Sequence, residues 1–155
     1  MNDDNWLDAC LDTADRCWGG IVSILSDLDD EQANRRLDSS GANSPYAIGH
    51  HCVEMTRWWL GTFGCGRRLP RDRSGEFEAT GSVLELLERV GEVRADTAHW
   101  SREMLTHGIA DRDARGTAAT VDLATVTPQW VLLHVIHDLA QHLGQLQISR
   151  DELLR

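Results

Sequence analysis

Apolar residues recur at helical spacing in four stretches of the chain, and the last stretch is the most regular. From Pro128 to about Leu154, hydrophobic side chains return every three or four positions, which is the period of a helix with one buried face. Thr127 suits the N-cap position, and Pro128 suits the first turn, where its missing N–H costs nothing. The pattern therefore predicts a long C-terminal helix.

The first half of the chain contains two more amphipathic stretches. One helix is predicted from Asn5 to Leu28, and the Gly19-Gly20 pair inside it leaves open either a kink or close packing. The next is predicted from Pro45 to about Phe63, after a Ser-Pro start that repeats the Thr-Pro start of the C-terminal helix. The polar segment 29–43 between them ends in a loop signal.

A further helix is predicted over residues 82–105. Ser82 and Glu85 have the spacing of a capping box, in which each side chain would accept a hydrogen bond from the other's backbone N–H. Segment 108–126 has the composition of a loop, and 118–123 is its part with extended character. Four helices with long connections indicate an all-α protein, and we expect a four-helix bundle.

Composition narrows the kind of protein. The length of 155 residues predicts a single domain, 1–155, large enough to bury a core. The net charge of −10 argues against nucleic acid or an anionic membrane surface as a partner. No apolar run is long enough to cross a bilayer, and the N-terminus is acidic, unlike a signal peptide, so we expect a cytoplasmic protein.

Side chains that could bind a metal ion lie on the predicted C-terminal helix. His134, Asp138 and His142 follow one another at intervals of four residues, so they share one face beside the apolar stripe. A buried carboxylate costs several kcal/mol unless it is paired or bound to a cation. Asp138 and His142 are one turn apart and can bind one metal ion from the same side. The alternative is that the histidines are ordinary core residues and Asp138 is a surface group.

A rigid metal site needs a ligand from a second helix. His51, on the inner face of the predicted helix 45–63, is the best third ligand, and with Asp138 and His142 it makes a two-nitrogen, one-oxygen set for Zn²⁺, Ni²⁺ or Fe²⁺. Three protein ligands leave positions open, which is the catalytic pattern. A divalent ion there would lower the pKa of a bound thiol from roughly 8.5 to below neutrality.

Other ligand sets stay open at this point. His50 could replace its neighbour His51, and His134 could replace Asp138. Cys52 follows His51 directly but points elsewhere on a helix, and His137 falls on another face. The connection 64–81 is rich in arginine, which could attract an anionic substrate or could form only local ion pairs.

Two motifs resemble the DinB/YfiT-like metalloenzyme superfamily. The segment Ser44–His51, followed by Glu54 and Trp58-Trp59, is similar to the helix that carries its first ligand, and the spacing from the helix-starting serine selects His51. Trp130–Gln145 is similar to its last helix, where the other two ligands lie four residues apart. Arg71–Phe77 resembles the actinobacterial members, whose mycothiol-dependent branch includes maleylpyruvate isomerase.

The resemblance implies a function as well as a fold. It implies up-up-down-down helix connectivity, a frequent homodimer, a divalent metal and a low-molecular-weight thiol cosubstrate. The absence of lysine among the fifteen basic residues suits an actinobacterial source, whose thiol would be mycothiol. This sequence departs from the pattern in having Asp138 where the superfamily usually has histidine or glutamate, and aspartate is one methylene shorter than glutamate.

Three hypotheses follow. The first is a metal-dependent thiol S-transferase or isomerase that joins the thiol to an electrophilic substrate. His51, Asp138 and His142 would hold the metal, His134 would be an outer partner or an acid/base group, and Arg150 or the arginine-rich loop would bind the thiol. The second is a non-catalytic bundle, a stress-related or interaction protein whose metal site is weak or lost. The third is a non-haem iron oxygenase, which uses the same ligand types on a scaffold rich in strands.

Overall fold

The computed structural model describes residues 3–38, 41–116 and 121–155, and all regular structure in these ranges is helical. This confirms the all-α class, and α1, α3, α4 and α5 correspond to the four predicted helices. Of the predicted extended segment, residues 118–120 lie outside the described ranges, and residues 121–123 form no strand. In chain order the elements are α1 (Asp3–Ser26), α2 (Asp30–Asn34), α3 (Pro45–Thr56), its π-helical continuation (Arg57–Gly64), a 3₁₀ turn (Glu76–Glu78), α4 (Val83–His107) and α5 (Pro128–Leu153).

Two of the predicted helix starts are confirmed. The Ser44 side chain accepts a hydrogen bond from the backbone N–H of Ala47 at 3.2 Å, and Thr127 accepts one from Trp130 at the same distance. The prediction of a capping box at Ser82 was wrong, because the Ser82 side chain forms no cap hydrogen bond. The donors near the start of α4 are satisfied by residues from another part of the chain.

The short helix α2 provides this substitute cap. Asp30 Oδ1 accepts a hydrogen bond from the backbone N–H of Val83 at 2.7 Å. Asn34 binds the backbone of Gly81 from both sides, donating to its carbonyl at 2.8 Å and accepting from its N–H at 3.0 Å. The polar segment 29–43, for which only a loop signal at its end was noted, therefore contains a short helix that anchors the start of α4.

The four long helices share one hydrophobic core that includes Trp18, Trp59, Leu86 and Leu139. Gly20 lets α1 approach α5 closely, because a Cβ at that position would lie 2.8 Å from a methyl group of Leu143. Of the two possibilities raised by the glycine pair, the structure therefore supports close packing.

Contacts between the helices correct the expected connectivity. Asp15 pairs with Arg94, and Asp8 pairs with Arg102, so α1 and α4 are antiparallel. Other contacts make α1 parallel to α5 and α3 parallel to α4. The order is up-down-down-up, and the expected up-up-down-down order was wrong. The pairs that establish the two parallel arrangements are Gly20–Leu143 and Asp27–Arg150 for α1 with α5, and Gly49–Leu86, Gly61–Trp100 and Gly64–Met104 for α3 with α4.

The parallel arrangement of α3 and α4 has a direct structural consequence. The connection 65–82 must run back along the whole bundle before α4 can begin, because parallel neighbours need a crossover. Its 3₁₀ turn packs against α3 on the way. None of the helices in the described part of the chain combines the length and the apolar character needed to cross a bilayer.

Candidate metal centre

Three side chains with metal-ligating atoms converge between α3 and α5. His51, Asp138 and His142 each place one such atom within 4.8 Å of the other two. His51 Nε2 lies 3.9 Å from Asp138 Oδ2. His51 is buried and the Asp138 side chain is 22 % exposed, so the cluster is inside the protein with one side accessible to solvent.

A buried carboxylate from the crossover connection holds the His51 ring. Glu76 has no exposed side-chain surface, and its Oε2 accepts a hydrogen bond from His51 Nδ1–H at 2.7 Å. Arg71 binds Glu76 through two guanidinium nitrogens, and Arg73 approaches it at 3.4 Å. Burial alone would raise the pKa of Glu76, but the hydrogen bonds from His51 and Arg71 outweigh it and lower that pKa.

The His142 ring is also held by a hydrogen bond at its Nδ1 atom. Its Nδ1–H donates to Gln145 Oε1 at 2.8 Å, and burial, helped by the neighbouring His51, lowers the pKa of His142. With Nδ1 of each imidazole protonated by its hydrogen bond, the Nε2 lone pair is left to bind a cation. The two rings lie edge to face with centroids 4.6 Å apart.

The crossover connection also covers one side of the cluster. Phe77 stacks on the His51 ring with centroids 4.7 Å apart and lies 6.5 Å from the His142 ring. The Arg73 guanidinium lies over Phe77 at 5.3 Å. A hydrophobic ring next to the candidate ligands limits water access from that side.

These residues fit a divalent cation. Ligands bonded to one tetrahedral ion at about 2.0–2.2 Å are roughly 3.4 Å apart, so the 3.9 Å separation of His51 and Asp138 requires only a small contraction. Two neutral imidazoles and one carboxylate are donors that Zn²⁺, Ni²⁺ and Fe²⁺ accept. The shorter aspartate therefore reaches the cluster.

The alternative ligands lie elsewhere. His50 Nδ1 is 2.9 Å from a nitrogen of Arg89, on the α4 side of α3. His137 is exposed on α5. Cys52 is fully buried, and desolvation raises its pKa. Burial likewise raises the pKa of the other three thiols, to about 11 for Cys65, so the protein's own cysteines are weak nucleophiles at neutral pH.

His134 lies one turn before Asp138, outside the three-residue cluster. Its ring stacks on Trp130 at 4.8 Å and meets the edge of Trp59 at 4.7 Å. Burial lowers the pKa of His134, which keeps the imidazole neutral and able to accept a proton. The two tryptophans fix the ring in place.

The predicted thiol-binding arginines have protein partners. Arg150 is 3.5 Å from Asp27 and 2.8 Å from Asp151. In the crossover connection, Arg71 and Arg73 pair with Glu76. Both arginines thus support the His51 side of the cluster.

Sequence reasoning missed Glu76 and Gln145, which hold the two imidazoles. Gln145 lies three residues after His142, so the spacing signal for a contact within one helix was present. Glu76 lies 25 positions after His51. Its one signal was an acidic residue in an arginine-rich loop, which does not indicate its partner.

A helical bundle that gathers three candidate metal ligands from two helices in its interior resembles the DinB/YfiT-like class of metal-binding proteins, with Asp138 at the position where that class usually has histidine or glutamate. The family model described as mycothiol-S-transferase matches residues 9–154, nearly the whole chain, so this protein belongs to that family. No curated protein matches the chain. The family confirms the resemblance and the expectation of a thiol S-transferase, and it favours the enzyme over the non-catalytic bundle and the oxygenase.

Proposed function

We propose that this protein is a mycothiol S-transferase in which His51, Asp138 and His142 bind the catalytic divalent cation. Zn²⁺ is the first choice, with Ni²⁺ or Fe²⁺ as alternatives. The observation that carries the proposal is the convergence of these three donors from two helices, with Nδ1 of each imidazole already hydrogen-bonded.

The cation would lower the pKa of the mycothiol thiol and so supply a thiolate at neutral pH. The residues around it have distinct tasks. Glu76 and Gln145 orient the two imidazoles, and Phe77 excludes water from one side. The exposed side of Asp138 leaves room for substrates to approach.

In the transfer, the thiol loses its proton and the sulfur forms a bond to an electrophilic carbon. The leaving group departs with the electron pair of the bond that breaks. His134 is the residue proposed to accept the thiol proton, because its imidazole is neutral and one turn from Asp138. Arg150 stays a predicted mycothiol contact, although its two acidic neighbours favour a structural role.

The ligand assignment is tested by His142→Ala. We expect the purified variant to lose both bound metal and mycothiol transfer, because only two protein donors, His51 and Asp138, remain to hold the cation. The matched control is His137→Ala, which removes an exposed imidazole from the same helix and should keep both. Elemental analysis and a transfer assay provide the two measurements. Full metal content in His142→Ala would refute the assignment.

The role of His134 is tested by its pH profile. His134→Gln keeps the size and polarity but removes the titrating group, so we expect kcat to fall roughly 100-fold, within the range of general acid–base catalysis. The low-pH limb of the kcat profile should also disappear. A variant with a lower kcat but an unchanged profile would show that the ring only packs between the tryptophans.

Two broader properties are also proposed, the first from the resemblance and the second from the composition. We expect a homodimer, which light scattering on the full chain would show as twice the monomer mass. We also expect a cytoplasmic protein that binds neither nucleic acid nor membrane, consistent with the net charge of −10.

A further inference from the structure

Three donors share one carboxylate oxygen in the crossover connection. His51 Nδ1–H, Arg71 and Arg73 all donate to Glu76 Oε2, at 2.7, 3.2 and 3.4 Å respectively. A carboxylate oxygen offers about two lone pairs, so the third and longest of these bonds is the weakest. Arg71 also binds the other oxygen of Glu76, which therefore keeps a charged partner without Arg73. Arg73 is the donor that another acceptor can take over with the smallest loss.

The Arg73 side chain combines access to solvent with a position near the candidate ligands. It is 34 % exposed, whereas the Arg71 side chain is 5 % exposed. The Arg73 guanidinium lies 5.3 Å from the centroid of Phe77, and this half-buried ring borders both His51 and His142. A molecule that arrives from solvent can therefore reach the guanidinium one phenyl ring away from the candidate metal centre.

The local charges leave Arg73 as a positive group beside a loaded centre. Glu76 has a single negative charge, which Arg71 already balances. At the candidate centre, Asp138 and a bound thiolate together would neutralise a divalent cation. The charge of Arg73 is felt there, because burial is the main cause that lowers the pKa of His142 and Arg73 is a further cause. An anionic group on the second substrate is therefore attracted to Arg73 more than to the metal.

We propose that Arg73 binds a carboxylate of the electrophilic substrate and so selects acidic electrophiles over their neutral analogues. This inference rests on the proposed function, because it concerns the second substrate of that transfer. A guanidinium and a carboxylate form two parallel N–H···O bonds, which a neutral amide cannot reproduce. The carbon skeleton of the substrate packs along the exposed part of Phe77, and the electrophilic carbon then lies beside the thiolate. In a protein of net charge −10, such a local positive group is what attracts an acidic molecule.

The test compares two substrates that differ in one group, chlorodinitrobenzoate and chlorodinitrobenzamide, each with its carboxyl group para to the chlorine. In both, the mycothiol sulfur forms a bond to the ring carbon, and chloride leaves with the electron pair of the C–Cl bond. The rates are measured with the full-length, Zn²⁺-loaded protein. Each is divided by the uncatalysed rate with mycothiol, which removes the difference in intrinsic reactivity.

We expect Arg73→Gln to lower kcat/KM for chlorodinitrobenzoate about 10- to 100-fold, the range of a charge-assisted pair. The value for chlorodinitrobenzamide and the zinc content should not change, because Arg71 still holds Glu76. Arg73→Lys, which keeps the charge without the paired donors, should fall between the two. The matched control is Arg68→Gln, which removes an equal charge from an exposed position of the same connection and should match the wild type. Equal losses with both substrates, or equal losses in the Arg73 and Arg68 variants, would overturn the inference.

Binding of dinitrobenzoate, which has no leaving group, separates this inference from the proposed function. Calorimetry on the Zn²⁺-loaded protein should give a Kd that rises about tenfold or more in Arg73→Gln. A protein that binds dinitrobenzoate through Arg73 but transfers mycothiol to neither substrate would refute the proposed function and leave Arg73 as a carboxylate site. If the wild type does not bind dinitrobenzoate, or if Arg73→Gln binds it equally well, the inference is wrong, and in the second case the metal holds the carboxylate.

Discussion

Glu76 shows how much one distant residue contributes to the candidate site. Its carboxylate is fully buried, orients His51 and is bound by two nitrogens of Arg71. A hydrogen-bonded carboxylate behind a histidine fixes the ring and raises its basicity as a ligand. The acid and the arginine depend on each other, because either one alone would be an uncompensated buried charge.

We therefore predict that Glu76→Gln weakens both metal binding and the fold. The affinity for Zn²⁺ should fall roughly 10- to 100-fold, because the amide holds the His51 ring less well. The free energy of unfolding should fall by about 3 kcal/mol or more, since Arg71 loses its buried counter-charge. A zinc titration and urea denaturation measure the two effects.

The control for this prediction is Glu78→Gln. Glu78 lies two residues further along the same connection, and its side chain is 76 % exposed beside Arg36. An exposed ion pair contributes at most about 1 kcal/mol, so neither measurement should change much. Equal effects in the two variants would show that Glu76 has no special role at His51.

At the scale of elements, α2 has an effect larger than its five residues suggest. It is closed by its own capping box between Asp29 and Gln32, and it uses Asp30 and Asn34 to bind the start of α4. The helix start that the Ser82–Glu85 spacing predicted is thus stabilised by tertiary contacts. A backbone N–H at a helix start donates to whichever oxygen the fold brings within reach.

Asp30→Ala should destabilise the protein by about 1 kcal/mol, the usual cost of losing a cap. Ser82→Ala should change the free energy of unfolding by much less, because its side chain makes no cap hydrogen bond. Urea denaturation of the two variants beside the wild type measures both. A larger loss in Ser82→Ala would mean that the local capping box does form.

At the scale of the whole molecule, the crossover connection joins the fold to the site. Since α3 and α4 are parallel, the chain returns along the bundle and brings Glu76 and Phe77 against His51. Metal binding at His51 and docking of this connection should therefore stabilise each other, because both hold the same ring.

We predict that Zn²⁺ raises the melting temperature of the full-length protein. At a free concentration of about 100 times Kd, binding to the folded state adds roughly 2.7 kcal/mol. For a chain of this size that corresponds to about 5–10 °C. Calorimetry with and without Zn²⁺ measures the shift, and a chelator should reverse it. His142→Ala should show little response, and an equal rise there would place the bound zinc elsewhere.

Much of the fold, and the pairing of two of the three candidate ligands, follow from local properties of the chain. The four long helices, the caps at Ser44 and Thr127, and the placing of Asp138 and His142 on one face all follow from spacings of three or four residues. The choice of His51 over His50 depended on the resemblance as well as on the helical face.

Other features depend on which distant segments meet. The parallel packing of α3 and α4, the capping of α4 by α2 and the contact between His51 and Glu76 join residues 25 to 53 positions apart. No local period encodes such pairings, because a long connection such as 65–82 can return in many directions at nearly equal entropic cost. The sequence by itself determined the four long helices and offered the candidate metal-binding residues. Only the packing of the helices decided the direction of each one and which side chains hold the ligands in place.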